Sequence, residues 1–238
     1  MKVSNPHPYA SAETEVSAST PQPTVYIVDD DQATRKSLRW LVETLGVPVQ
    51  TYHCAVSFLD AYDRSMPGCL VLDMMMPGMN GLELQRELNE RGIDIPVIVL
   101  TGYADVATAV RTLKGGAVEF LEKPFNDDVL LEQIRLALAL DAKRRSERGE
   151  REVVRDRMAR LTPRESEILD LVVEGLSSKE IAGRLTVSFK TVEAHRAKVM
   201  KKMEAESVAQ LVRIVVSAKP SSDQRAQPHA DSLKKAGL

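Results

Sequence analysis

Carboxylates stand where apolar runs stop. The run "TVYIV" is followed at once by Asp29, Asp30 and Asp31, and "CLVL" by Asp73 shortly before a Pro77-Gly78 turn. Two further apolar runs end on Thr101-Gly102 and on Lys123-Pro124. Any one of these acids could simply cap a turn or a helix, because its side chain bonds nearby backbone N–H groups. The set implies more. Carboxylates gathered at one edge repel unless a cation lies among them, and Mg²⁺ takes oxygen ligands of this kind with water and phosphate completing its shell. An ammonium and a hydroxyl arriving from two other runs could bind the remaining oxygens of a phosphoryl group. The chemistry these residues offer is a carboxylate nucleophile, Asp73, carrying a transient acyl phosphate beside a metal.

Such a site needs its four segments brought to one edge, and the chain between them alternates strand and helix. Apolar runs at 24–28, 48–52, 69–73, 95–102 and 117–124 are each followed by a segment of helical spacing, at 32–46, 55–64, 81–92, 105–116 and 127–140. Runs such as "CLVLD" and "IPVIVLTG" do not alternate, as expected for strands covered on both faces. Five strand–helix units predict an open, doubly wound parallel sheet. In that architecture ligands gather outside the carboxyl ends of the strands, where Asp29–Asp31, Asp73, Thr101 and Lys123 all fall.

The motifs "VDDD", "LDMMMPGMNG", "LTGYAD" and "EFLEKPF", in this order, resemble the receiver domain of two-component response regulators over residues 24–140. The resemblance implies a flavodoxin-like strand order 2-1-3-4-5 and a sensor histidine kinase as phosphodonor to Asp73. It implies Mg²⁺ on Asp30, Asp73 and the backbone carbonyl of Met75, with Asp29 helping through water. Lys123 would pair with the phosphoryl group, Thr101 would move to it, and Phe120 would swing inward as Thr101 moves. Lys123-Pro124 would be a cis bond of the kind proline permits. Met74 reads as a core gap-filler. Met75 and Met76 are expected at the rim of the pocket, where an apolar side chain slows attack by water.

Charge divides the chain. Residues 24–139 hold 10 Lys/Arg against 17 Asp/Glu, whereas residues 158–217 hold 10 against 8, which suggests two modules with different partners. Between them, residues 140–157 carry seven Lys/Arg and five Asp/Glu. Spacings such as Glu147/Arg151 and Glu152/Arg155 predict a solvated helical linker over 141–158, against which Gly149 argues for a flexible one.

The second module begins with Thr162-Pro163-x-Glu165, a helix start. Short helix, tight turn and longer basic helix follow in "SSKEIAGRL", "TVS" and "FKTVEAHRAKVMKKM", the helix-turn-helix pattern. In the third helix Val192, Val199 and Met203 should face the core. Lys190, Glu193, Ala194, Ala197 and Lys201 should then lie outward, with small alanines able to meet thymine methyls and Glu193 a cytosine amino group. Lys190, Thr191, Lys198 and Lys201, with Lys179 on the preceding helix, suit phosphates. His195 reads as a packed histidine rather than a metal ligand. Residues 159–217 resemble the four-helix LuxR/NarL-type DNA-binding domain, and the two modules together resemble the FixJ subgroup of response regulators. That resemblance implies promoter DNA as partner, RNA polymerase as a further one, homodimerisation on phosphorylation, and 207–217 as the dimerisation helix.

Residues 1–23 and 218–238 read as disordered tails rich in small and polar residues. No run approaches the roughly 18 apolar residues of a membrane helix, and Cys54 and Cys69 lack metal-ligand spacing, so a non-membrane, cytoplasmic protein with reduced thiols is expected. Two other functions compete. An aspartate-nucleophile phosphatase needs a second Asp two residues after the first, where this chain has Met75. A phospho-receiver adaptor acting on protein alone leaves the basic helix unexplained. A non-enzymatic, phosphorylation-controlled transcription regulator is the expectation.

Overall fold

The computed structural model describes residues 21–102 and 106–218. The expected tails therefore fall largely outside the described residues.

Five strands form one all-parallel sheet: β1 (Thr24–Val28), β2 (Val49–Tyr52), β3 (Gly68–Asp73), β4 (Val97–Thr101) and β5 (Glu119–Glu122), in spatial order β2-β1-β3-β4-β5. Every residue of β1, β3 and β4 is buried, which is why their sequences do not alternate. Odd and even positions serve opposite faces. Tyr26, Val28, Leu70, Leu72, Val97 and Val99 pack with Phe58 of α2 (Ala55–Ala61) and with Leu84 and Leu88 of α3 (Gly81–Glu90). Val25, Ile27, Cys69, Val71, Ile98 and Leu100 pack with Leu38 and Val42 of α1 (Gln32–Glu43) and with Leu130, Ile134 and Ala137 of α5 (Asp127–Ala159). Each fully buried Leu or Ile stabilises by about 1.5–3 kcal/mol, so this double-sided core fixes which ends of the strands converge. The remaining helix, α4 (Val106–Lys114), runs alongside β5 and leaves Val106 and Val110 exposed.

Strands β2, β4 and β5 are shorter than their apolar runs suggested. β4 starts at Val97 because Pro96 has no N–H to pair; only its carbonyl takes part, accepting from Leu70 N–H at 2.9 Å. The expected helical linker is present as an extension of α5. Leu140 does not end it: the helix continues unbroken through Gly149 to Ala159, 33 residues in all. The charged segment is therefore a helical rod, and of its two expected pairs only Glu147–Arg151 is made, at 3.8 Å. Glu152 and Arg155 form no ion pair among the described residues. Stronger ties hold the rod. Asp141 and Arg145 grip the chain before β3, and Arg144 and Arg148 both reach Asp94. At the far end Val154 is buried in the second module and Arg157 bonds to Met203 and Glu204.

That module is α6 (Pro163–Val173), α7 (Ser178–Leu185), α8 (Phe189–Met203) and α9 (Val208–Ala218). Thr162 and Ser177 each form a capping box, with Glu165 and Glu180 returning a carboxylate to the cap N–H. Thr186 ends α7 in the left-handed region, φ 55°, which makes the tight turn into α8. Ile168, Leu169, Ile181, Val192, Val199 and Leu211 form its core.

Candidate functional site

The carboxyl ends of β1 and β3 lie side by side in the sheet, and β5 reaches the same edge beyond β4. Asp29 and Asp73 are 2% and 6% exposed. Lys123 crosses to both, its Nζ standing 2.5 Å from Asp73 Oδ1 and 3.0 Å from Asp29 Oδ2. The second oxygen of Asp73 accepts the Met75 N–H at 2.7 Å, and Asp29 Oδ1 accepts the Asp31 N–H at 2.8 Å. Thr101, 1% exposed, ends β4, and its carbonyl accepts the Lys123 N–H at 2.7 Å. The Lys123-Pro124 peptide is cis. Phe120 is half-buried against the core beneath. Asp30 is exposed, next to Asp29.

Two carboxylates share one ammonium, so the cluster is negative overall. Burial pushes the Asp73 carboxyl above its ordinary value; Lys123 opposes that shift and Asp29 adds to it. Burial works against the Lys123 ammonium, but its hydrogen bonds to Asp73 and Asp29 outweigh it and hold its pKa high. The Lys123 shift reports the two carboxylates beside it, whereas the Asp73 shift comes from burial first and from Asp29 only second. A second cation, approached by hard oxygen donors alone, fits the negative surplus. The side chains do not form such a site unaided: among the described residues no three His, Cys, Asp or Glu groups converge in a metal-holding arrangement.

Two supporting residues, Arg35 and Gly81, escaped the sequence reading. Arg35 of α1 donates from Nη1 to the Asp29 carbonyl at 2.6 Å, pinning the acidic turn. Asp31 takes the capping role that the sequence left open to any of the three acids, accepting the Thr34 N–H at 2.6 Å. Gly81 lets α3 start against the chain leaving β3, since a Cβ there would lie 2.6 Å from the Asp73 carbonyl oxygen. Of Arg35 and Gly81, only the latter had a visible signal, the "PGMNG" turn.

In the second module Val192, Val199 and Met203 are buried, as their spacing predicts. Lys190, Thr191, Glu193, Ala194, Ala197, Lys198 and Lys201 are exposed along the rest of α8, and Lys179 is exposed on α7. Two of the five cations of α8 have internal work. Arg196 Nη1 donates to Ser178 Oγ at 2.8 Å, and Lys202 Nζ to Glu165 Oε2 at 2.6 Å. His195 is half-buried, and its Nδ1 has no partner among the described residues.

Residues 25–135 match the response regulator receiver domain model, and residues 159–215 match that of bacterial regulatory proteins of the luxR family. The transcriptional regulatory protein FixJ of Azorhizobium caulinodans is 44% identical over 194 residues, which are 82% of this chain and 92% of that protein. The transcriptional regulatory protein TdiR of Thauera aromatica is 42% identical over 193 residues, 81% and 85% of the two chains. Among solved structures, the response regulator StyR superimposes with a TM-score of 0.73 at 42% identity, covering 82% of this chain and 98% of its own. Full-length FixJ from B. japonicum gives 0.51 at 37% identity, covering 84% and 98%.

Proposed function

This chain belongs to the response regulators of the FixJ subgroup, a receiver joined to a LuxR-family DNA-binding domain, and we propose that Asp73 is the phosphoacceptor through which it controls transcription. The observation that carries the assignment is Lys123 bound at once to Asp73 and Asp29, which converges three strand ends on one carboxylate.

One Asp73 oxygen attacks the phosphorus of a kinase phosphohistidine; the new O–P bond forms as the P–N bond breaks and the electron pair leaves with the imidazole. The Lys123 ammonium stands where it can bind phosphoryl oxygen, and the Met75 N–H holds the other carboxylate oxygen in place. Asp29, Asp30, Asp73 and the Met75 carbonyl would hold Mg²⁺, which when bound neutralises charge on the transferred group. Thr101 and Phe120 are the switch residues: the phosphoryl group draws the Thr101 hydroxyl toward it and so favours one of two arrangements of β4, β5 and α4. The exposed face of α4 would then pair two copies and place two α8 helices on successive half-sites of promoter DNA. Lys179, Lys190, Thr191, Lys198 and Lys201 would hold phosphates, leaving Glu193, Ala194 and Ala197 to meet bases.

Footprinting across genomic DNA, with and without a small phosphodonor, tests the reading in wild type and Asp73→Asn. Protection that strengthens with phosphodonor only in wild type is expected. A footprint indifferent to both donor and substitution would remove the switch.

A further inference from the structure

Methionine flanks the acceptor closely: Met74, Met75 and Met76 follow Asp73 directly, and Met79 lies three residues beyond. Their environments differ sharply. Met74 and Met76 are 6% and 7% exposed, and Met203 is fully buried. Met66, Met79, Met158 and Met200 are half-buried, and the last three pack against cores. Met75 is 72% exposed, the one exposed methionine among the described residues.

Its backbone is nevertheless fixed. The Met75 N–H binds Asp73 Oδ2 at 2.7 Å, and the preceding residue is tied to β4 through Met74 N–H on the Leu100 carbonyl at 2.8 Å. An exposed thioether is thus held two residues from the phosphoacceptor by a main chain bonded to that same carboxylate. The core packing that covers Met74, Met76, Met79, Met158, Met200 and Met203 is absent here, and thioether oxidation follows access.

We infer that Met75 is an oxidation site through which peroxide shortens the lifetime of the phosphorylated state, an inference that rests on the assignment of Asp73. The sulfur lone pair attacks one peroxide oxygen; the O–O bond breaks, an S–O bond forms, and hydrogen peroxide leaves as water. Sulfur is oxidised by two electrons and the peroxide reduced by two. The product replaces an apolar side chain at the rim by a polar sulfoxide that accepts hydrogen bonds from water. Water ordered there stands close to the acyl phosphate, and hydrolysis of that bond accelerates. A sulfoxide reductase reverses the change.

The test uses the full chain. Hydrogen peroxide is titrated in, oxidation at each methionine is followed by peptide mass spectrometry, and the Asp73 phosphate lifetime is measured after loading with a small phosphodonor and Mg²⁺. Met75 should oxidise first, and the wild-type lifetime should fall several-fold. Met75→Leu should show the same lifetime with and without peroxide. Met75→Gln, which carries a polar acceptor of similar length, should be short-lived without peroxide. Oxidation of Met66, Met158 or Met200 as fast as Met75 overturns the site, and an unchanged lifetime in protein oxidised at Met75 overturns its consequence. If untreated wild type takes up no phosphate at Asp73, the assignment of Asp73 as phosphoacceptor fails and takes that consequence with it, while the order of oxidation still stands as its own result.

Discussion

Both ends of β3 meet a buried carboxylate, and the two are built in opposite ways. At the carboxyl end Asp73 shares a single ammonium with Asp29. At the other end Asp141, 3% exposed, reaches in from α5 and accepts the Gly68 N–H and Arg145 Nε–H with one oxygen, each at 2.8 Å. The Arg145 guanidinium then donates to the carbonyls of Arg64, Ser65 and Met66. Gly68 permits the close approach, since a Cβ there would lie 2.0 Å from the Thr24 carbonyl oxygen. One cluster has charges matched and donors used; the other has a negative surplus at the sheet edge where ligands bind. Matched charge fixes the helical rod to the receiver, whereas surplus negative charge suits a cation of hard-oxygen preference.

The contrast breaks most plainly at Asp141. Asp141→Ala strands the Arg145 guanidinium and a buried N–H, and should destabilise the receiver by about 3 kcal/mol, as removal of one partner from a buried pair does. Urea unfolding followed by circular dichroism measures it. Below the melting range the variant should still accept phosphate at Asp73. A loss under about 1 kcal/mol, or a phosphorylation defect in folded protein, would erase the distinction between the two ends.

Asp73→Asn should act in the opposite sense. The Asp73 pKa is raised in the folded protein by burial and by Asp29, so its ionised form costs stability once pH rises through that value, and costs nothing below the ordinary carboxylate range. In metal-free buffer at neutral pH, the variant should be more stable by about 1 kcal/mol, since it discards a charge that lacks its own partner. The gain should vanish near pH 4 and below. A destabilised Asp73→Asn at neutral pH would mean that Lys123 neutralises both carboxylates.

The acidic end of this comparison was legible in the sequence and the balanced end was not. Asp29, Asp73, Thr101 and Lys123 each terminate an apolar run, so the strand periodicity that marks the sheet also marks the edge where these residues gather. Val192, Val199 and Met203 were readable for the same reason, through helical spacing. Asp141 and Arg145 lie four apart in a run of mixed charges, and that spacing reads equally well as a solvated helix face. Nothing local tells that Gly68, 73 residues earlier, stands opposite. Arg35 was hidden likewise, because its partner is a backbone carbonyl, which no sequence pattern displays. Pairings with main chain at long range belong to the packed fold, whereas strand ends belong to the alternation of segments.

Glu165 supplies the sharpest small test, because it repeats the matched design in the other domain. It is 3% exposed; its Oε2 accepts Lys202 Nζ at 2.6 Å and the Thr162 N–H at 2.9 Å. The Lys202 hydrogen bond and then the Thr162 N–H hold its pKa down to about 2, against an ordinary value of 4.5. Glu165 with its own ammonium goes down, whereas burial first, and Asp29 beside the same ammonium second, leave Asp73 raised. A depressed acid contributes stability that is complete above the unfolded value and is lost as pH falls toward the folded one. Glu165→Gln should therefore loosen α6 at neutral pH, read as faster amide hydrogen exchange in peptides spanning 162–173, and the gap to wild type should close as pH falls from about 4.5 toward 2. A gap that stays constant across that range would assign the effect to lost packing and leave charge matching without a role in this domain.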